Sequence, residues 1–137
     1  DGILVSERAK SENLKHLVDG LGRRPMYEER RWGEYKVIDY IEFRDGNCAL
    51  TKQLTLRPGC SLSYQRHNFR SEVWTFINGE GEIVLDGERR TVKAGDIFNI
   101  AVGELHALRA TTPLTFIEVQ QGTNLVEDDI ERFDYEW

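Results

Sequence analysis

The stretch Pro58–Gly79, PGCSLSYQRHNFRSEVWTFING, decides how this chain folds. It opens on a Pro-Gly turn, closes on an Asn-Gly turn, and between them carries two short runs, Leu62 to His67 and Glu72 to Asn78, of strand composition. Residues two apart on a strand share a face. Gln65 and His67 are therefore expected to point one way on the first run, and Glu72 and Trp74 to share a face on the second. A further histidine, His106, arrives downstream. One amide oxygen, one carboxylate and two imidazoles form a mixed oxygen and nitrogen set that suits a borderline divalent ion. Zinc is the foremost expectation, with manganese, cobalt, nickel and iron as alternatives; no cysteine joins the set.

Working outward, the same pattern recurs. Runs rich in Val, Ile, Tyr, Phe and Thr occupy Tyr35 to Phe43, Ala49 to Leu56, Gly81 to Leu85, Arg89 to Val92, Ile97 to Ile100, His106 to Ala110 and Leu114 to Gln120. Asp45-Gly46, Asp86-Gly87, Ala94-Gly95 and Val102-Gly103 break them, and Asp86-Gly87 is a strong two-residue hairpin signal. Strands this closely spaced, with no helix between them, predict an all-β antiparallel sandwich or barrel. Before them, Leu14, Leu17, Val18 and Leu21 fall at helical spacing behind a capping Ser11, so an N-terminal arm of strand, helix and linker is expected over residues 1–34 and the barrel with its tail over 35–137. Residues Arg23 to Arg31 read as an exposed linker or an edge strand. The acidic run Glu127 to Glu131 reads as a solvated turn, and Phe133, Tyr135 and Trp137 as a last short strand or clamp.

Composition narrows the function. In 137 residues the chain carries a formal charge of -6, which removes the basic surface that nucleic acid or an anionic membrane would require. A small-molecule partner is expected. No run of eighteen apolar residues and no secretory signal is present, and Cys48 and Cys60 read as reduced thiols, so a cytoplasmic location follows as an expectation.

With one motif as Gly59-x5-Gln65-x-His67-x4-Glu72-x6-Gly79 and a second as Gly95-x5-Ala101-x-Gly103-x2-His106, the chain resembles the cupin superfamily, whose fold is a double-stranded β-helix or jelly roll. Gln65 in place of the usual first histidine, together with Leu62-Ser63-x-Gln65-x-His67-x2-Arg70-x-Glu72-x-Trp74 and Ile117-Glu118-Val119-Gln120, is similar to a narrower group, the type II mannose-6-phosphate isomerase domain. That domain forms the C-terminal part of bifunctional mannose-1-phosphate guanylyltransferase/mannose-6-phosphate isomerase enzymes. The resemblance runs nearly the full chain and implies an aldose-ketose isomerase feeding GDP-mannose and polysaccharide biosynthesis. It does not cover a nucleotide-binding transferase domain. Asn68 and Val73 stand where the family pattern has histidine, and Ala101 where it has proline.

For an isomerase of this kind the metal set is Gln65, His67, Glu72 and His106. Moving a proton between carbons 1 and 2 needs a base, and with both barrel histidines assigned to metal, Glu118 and Lys52 are the candidates. Arg70, Arg109, Trp74 and Gln120 are candidates for binding the sugar phosphate, the arginines through charge-assisted bonds. A homodimer is expected. The missing histidines keep open a binding module that holds metal or sugar without catalysis, and a metal-dependent oxygenase is a third class.

Overall fold

The structure is a computed structural model that describes Glu7 and residues 25–137. The expected opening strand and helix of the arm lie outside the described residues. Those described form eleven strands and no helix: β1 Tyr27–Arg30, β2 Gly33–Glu42, β3 Cys48–Leu56, β4 Tyr64–Arg66, β5 Arg70–Asn78, β6 Glu80–Leu85, β7 Glu88–Lys93, β8 Ile97–Ile100, β9 His106–Ala110, β10 Leu114–Gly122 and β11 Glu131–Phe133. The run Arg23 to Arg31 thus holds an edge strand, β1, and the tail supplies β11. Every pairing is antiparallel. One sheet runs β1-β2-β3-β10-β5-β8 and the other β11-β4-β9-β6-β7, the jelly roll expected from the motifs. Among the described residues no helix is long and apolar enough to cross a membrane.

Alternation makes the core. On β3, β10 and β5 the even-numbered residues face inward, and their register stacks them in rows across the six-stranded sheet: Leu54, Phe116 and Phe76; then Lys52, Glu118 and Trp74; then Leu50, Gln120 and Glu72. Ile83 and Leu108 meet them from the five-stranded sheet, and all of the apolar members are buried in one cluster. Each such side chain contributes roughly 1.5–3 kcal/mol by leaving water.

Two turns show what the breaks are for. Asp86 and Gly87 both have positive φ, 46° and 84°, the conformation that closes the β6–β7 hairpin. Gly79 has φ 88°, and a Cβ there would come within 2.1 Å of the Pro113 carbonyl oxygen, so the strand exit from β5 admits no side chain.

The last residues turn back over the five-stranded sheet. The ring of Tyr135 lies 5.0 Å from that of Tyr64, and the Arg89 guanidinium sits over the rings of Tyr135 and Trp137. Beneath this face Val84 and Ala107, paired across β6 and β9, are fully buried. Both cysteines are free thiols.

Candidate metal centre

His67 follows β4, Glu72 lies on β5 and His106 opens β9, so three chain segments meet at one end of the barrel. One ligand atom from each falls within 4.8 Å of the other two, and all three residues are buried. His67 Nε2 lies 3.3 Å and His106 Nε2 3.9 Å from the Glu72 carboxylate. Bonds of about 2.1 Å to a tetrahedral ion require ligand atoms about 3.4 Å apart, so this spacing suits a small divalent cation.

The histidines are held for that task from behind. The Nδ1 of His67 meets the backbone carbonyl of Asp129, and the Nδ1 of His106 meets that of Glu104 at 3.0 Å. An Nδ1–H donating to a carbonyl leaves the Nε2 lone pair facing the carboxylate, the tautomer a metal ligand needs. Burial, with the nearby Arg70 charge second, pushes His67 down to about 4, and burial lowers His106 as well. Both rings are therefore neutral at pH 7. Among the described residues His106 Nε2 is a buried nitrogen without any hydrogen-bond partner. Buried polar atoms are rarely left so, and an ion at this point would satisfy it. The donor set fits a metal.

A positive charge already serves part of this cluster. Arg70 donates from Nε to Glu72 Oε1 at 2.9 Å, from Nη2 to His67 Nε2 at 3.2 Å and from Nη1 to the Val126 carbonyl at 3.0 Å. A neutral His67 nitrogen and a carboxylate oxygen 3.3 Å apart are both acceptors, so a cation must lie beside them, and the guanidinium answers it. The second oxygen of Glu72 accepts the Trp74 indole N–H at 3.0 Å.

A cavity of about 900 Å³ opens against this end of the barrel. Glu72, Arg70, Lys52, Glu118 and Gln120 line it, as does Gln65, whereas the two histidines lie behind Glu72 and Arg70. Glu118 faces Lys52 across the β10–β3 pairing, and its Oε1 accepts a 2.7 Å bond from the Gln120 amide. Burial, and then the Glu72 charge, push Glu118 up to about 7. Lys52, 4 % exposed, donates to Glu127 at 2.7 Å and lies over the Tyr35 ring.

The sequence-based candidates fare differently. His67, Glu72 and His106 converge. Gln65 sits directly opposite His106 in the β4–β9 pairing, hence on the same inward face, and its Oε1 accepts the Ser63 hydroxyl at 2.8 Å. Trp74 is fully buried, in edge contact with the His106 ring and tilted contact with the Phe116 ring, and does not line the cavity. Arg109, an odd number of residues from His106, faces the opposite side of β9, opposite Glu82. The acidic run is not a solvated turn throughout: Asp129 is buried, and its carboxylate accepts the backbone N–H groups of Asn68 and Phe69 at 2.9 and 3.0 Å. The buried carboxylate thus serves as acceptor for two backbone N–H groups at the turn between β4 and β5. Sequence reading also missed Arg31 and Arg132, exposed at the cavity rim with no ion-pair partner among the described residues. Their positions on β1's exit and on β11 belong to the two ends of the chain, and local pattern carries no signal for that meeting.

Residues 23–135 match the family described as mannose-6-phosphate isomerase C-terminal. The chain belongs to this family. Similar curated proteins include the mannose-1-phosphate guanylyltransferase ManC of Salmonella typhimurium, 32% identical over 98% of this chain, and the xanthan biosynthesis protein XanB of Xanthomonas campestris pv. campestris, 34% identical over 98%. The chain spans 29% and 30% of their respective lengths. Among solved structures, a Klebsiella pneumoniae protein with a double-stranded β-helix domain superposes with a TM-score of 0.64 over 98% of this chain and all of its own, at 19% identity. That likeness speaks to the fold. As a member of the isomerase C-terminal family the chain carries a cupin barrel with a His-Glu-His group able to hold a metal.

Proposed function

We propose that this domain is a metal-dependent isomerase that interconverts mannose 6-phosphate and fructose 6-phosphate, in service of GDP-mannose and polysaccharide synthesis. The observation that carries the reading is Glu118: a buried carboxylate that lines the cavity, shifted to about 7, one strand from the His-Glu-His trio. A general base works best when its pKa lies near the working pH. His67, Glu72 and His106, with Gln65 on the same face, would hold the divalent ion, which when bound supplies Lewis-acid stabilisation of charge on the sugar oxygens.

The chain's own residues do the rest. Glu118 takes the proton from carbon 2 of the open-chain aldose and returns it to carbon 1, while the hydroxyl proton on the second oxygen moves to the first; no atoms are gained or lost. Gln120 fixes the Glu118 carboxylate through its 2.7 Å bond, and Lys52, buried beside it, offers an ammonium to the oxygens that gain negative charge. Arg31 and Arg132 at the rim have guanidinium groups open to a phosphate. Arg70, with all three of its nitrogens engaged, is a positioning residue for Glu72 and His67 in this reading.

The test is direct. Purified protein supplied with zinc, manganese or cobalt is incubated with mannose 6-phosphate and assayed for fructose 6-phosphate. His67→Ala is expected to lose both bound metal and turnover. Turnover retained by metal-free His67→Ala protein rejects the mechanism. Asparagine at position 68, beside His67 where the family pattern has histidine, favours a second reading, a binding module without catalysis; bound phosphosugar with no turnover in the loaded wild type would select it.

A further inference from the structure

The ligand atoms of the His-Glu-His group are already engaged by the chain's own donors, with one exception. Arg70 Nη2 holds His67 Nε2, Arg70 Nε holds Glu72 Oε1, and the Trp74 indole holds Glu72 Oε2. His106 Nε2 alone is buried without a partner among the described residues. The engaged atoms differ in what they have left. Each carboxylate oxygen of Glu72 offers two lone pairs and uses one on its donor, so either can keep that bond and still meet an ion. A neutral imidazole whose Nδ1–H points at the Asp129 carbonyl has a single lone pair at Nε2, and Arg70 occupies it at 3.2 Å. His67 can serve Arg70 or a metal, but not both.

We propose, on the metal-binding reading above, that Arg70 is the resident cation of this site and that a divalent ion enters by exchange with it at His67 Nε2. Charge favours exchange over sharing. A guanidinium and a divalent ion on the same buried Glu72 repel one another where little water screens them. The movement required is small: Nε and Nη1 can stay on Glu72 and on the Val126 carbonyl while Nη2 is released toward the cavity that Arg70 lines. Without an ion, Arg70 keeps the buried carboxylate paired and the His67 ring in place, so the ligands are arranged before loading. The same bond weakens the site for metal, because loading must break it.

The experiment measures zinc affinity of the metal-free full chain by competition with a chromophoric chelator. Arg70→Met is expected to bind zinc about ten- to a hundredfold more tightly than the wild type, the range of one charge-assisted hydrogen bond, and to melt at a lower temperature without zinc. A misfolded variant would lose affinity rather than gain it. Arg70→Gln, which keeps an amide donor for Glu72, is measured beside it and is expected to gain affinity too, so a methionine variant that fails to fold leaves the test standing. Lys52→Met deletes a buried charge that lines the same cavity but donates to Glu127 and to no member of the trio; it is expected to shift zinc affinity by no more than a few-fold. A wild type that binds no zinc sinks the metal-binding reading itself. Zinc bound by the wild type but held no more tightly by the folded Arg70 variants, or a gain as large in Lys52→Met, overturns the exchange alone.

Discussion

Along β10 the inward side chains run Leu114, Phe116, Glu118, Gln120, so one strand passes from oil to polar groups within four alternate positions. The apolar half, with Phe76, Ile83, Leu56 and Leu108, is held by non-directional burial. The polar half is equally enclosed, but there each group is fixed by a particular partner: Glu118 by Gln120, Glu72 by Arg70 and Trp74, His67 by Asp129, Lys52 by Glu127. The difference teaches that a single alternating pattern can build a scaffold at one end of a barrel and a polar, ion-paired cavity at the other, with Trp74 and Phe116 in ring contact at the boundary. Errors in the first half cost stability; errors in the second should cost chemistry.

The sharpest way to break that division is Glu118→Gln, which keeps the shape and removes the base. Turnover is expected to fall by about 10²–10⁴-fold, with metal content and melting temperature near wild type. Wild-type rates in this variant would remove Glu118 from the mechanism. Phe116→Ala attacks the other half and is expected to lower unfolding free energy by about 3–5 kcal/mol in denaturant titration. If it also strips the metal as thoroughly as His67→Ala, the two halves are not separable.

Much of this division could be read from the sequence, and the part that could not has a physical cause. Strand alternation put Gln65 with His67 and Glu72 with Trp74, and His106 entered through the second glycine-bounded motif; the same parity, applied to β9, sends Arg109 outward, three positions from His106. Parity gives the face but not the reach: Trp74 shares a face with Glu72 and a row with Glu118 and Lys52, yet its ring is packed against Phe116 and His106 and does not line the cavity. Position-to-position pattern is also blind to partners sixty or more residues apart. Asp129 with Asn68, and Glu127 with Lys52, are such pairs, and for that reason the acidic tail looked like surface. A lysine inside a strand of core residues was the one available hint that an acid must come from elsewhere.

Acid should separate the halves further, because only the polar one titrates. For His67 the folded value is about 4 against an ordinary 6.5. As pH falls through 6.5 the unfolded chain takes up a proton that folded His67 refuses, which costs stability until about pH 4, whereas Glu118, at about 7 in the fold, takes one up before the unfolded chain does and offsets that loss. Denaturant titrations of the metal-free protein at pH 7, 5.5 and 4.5 check this. His67→Gln is expected to gain stability relative to the wild type as pH falls from 7 to 4.5, and a constant difference between the two would mean that other groups set the slope.

The smallest expected effect is at the rim. Glu127, its side chain 47% exposed, holds the buried ammonium of Lys52. Glu127→Gln weakens that hold, so inorganic phosphate or a sugar phosphate is expected to bind a few-fold more tightly, by calorimetry. Weaker binding would instead make Glu127 part of the ligand's own environment.

The tie between His67 and Asp129 joins positions sixty-two residues apart. During synthesis, β3, β5 and β10 can pair once residue 122 has emerged, while the imagined metal pocket still lacks the carbonyl that sets its first imidazole. On the metal-binding reading proposed above, ion uptake would follow barrel closure, and a protease cut in the exposed link at Thr123 and Asn124 would leave a folded shell with a loosened ligand, a lesion that spectroscopy of a bound ion would register before any melting curve did.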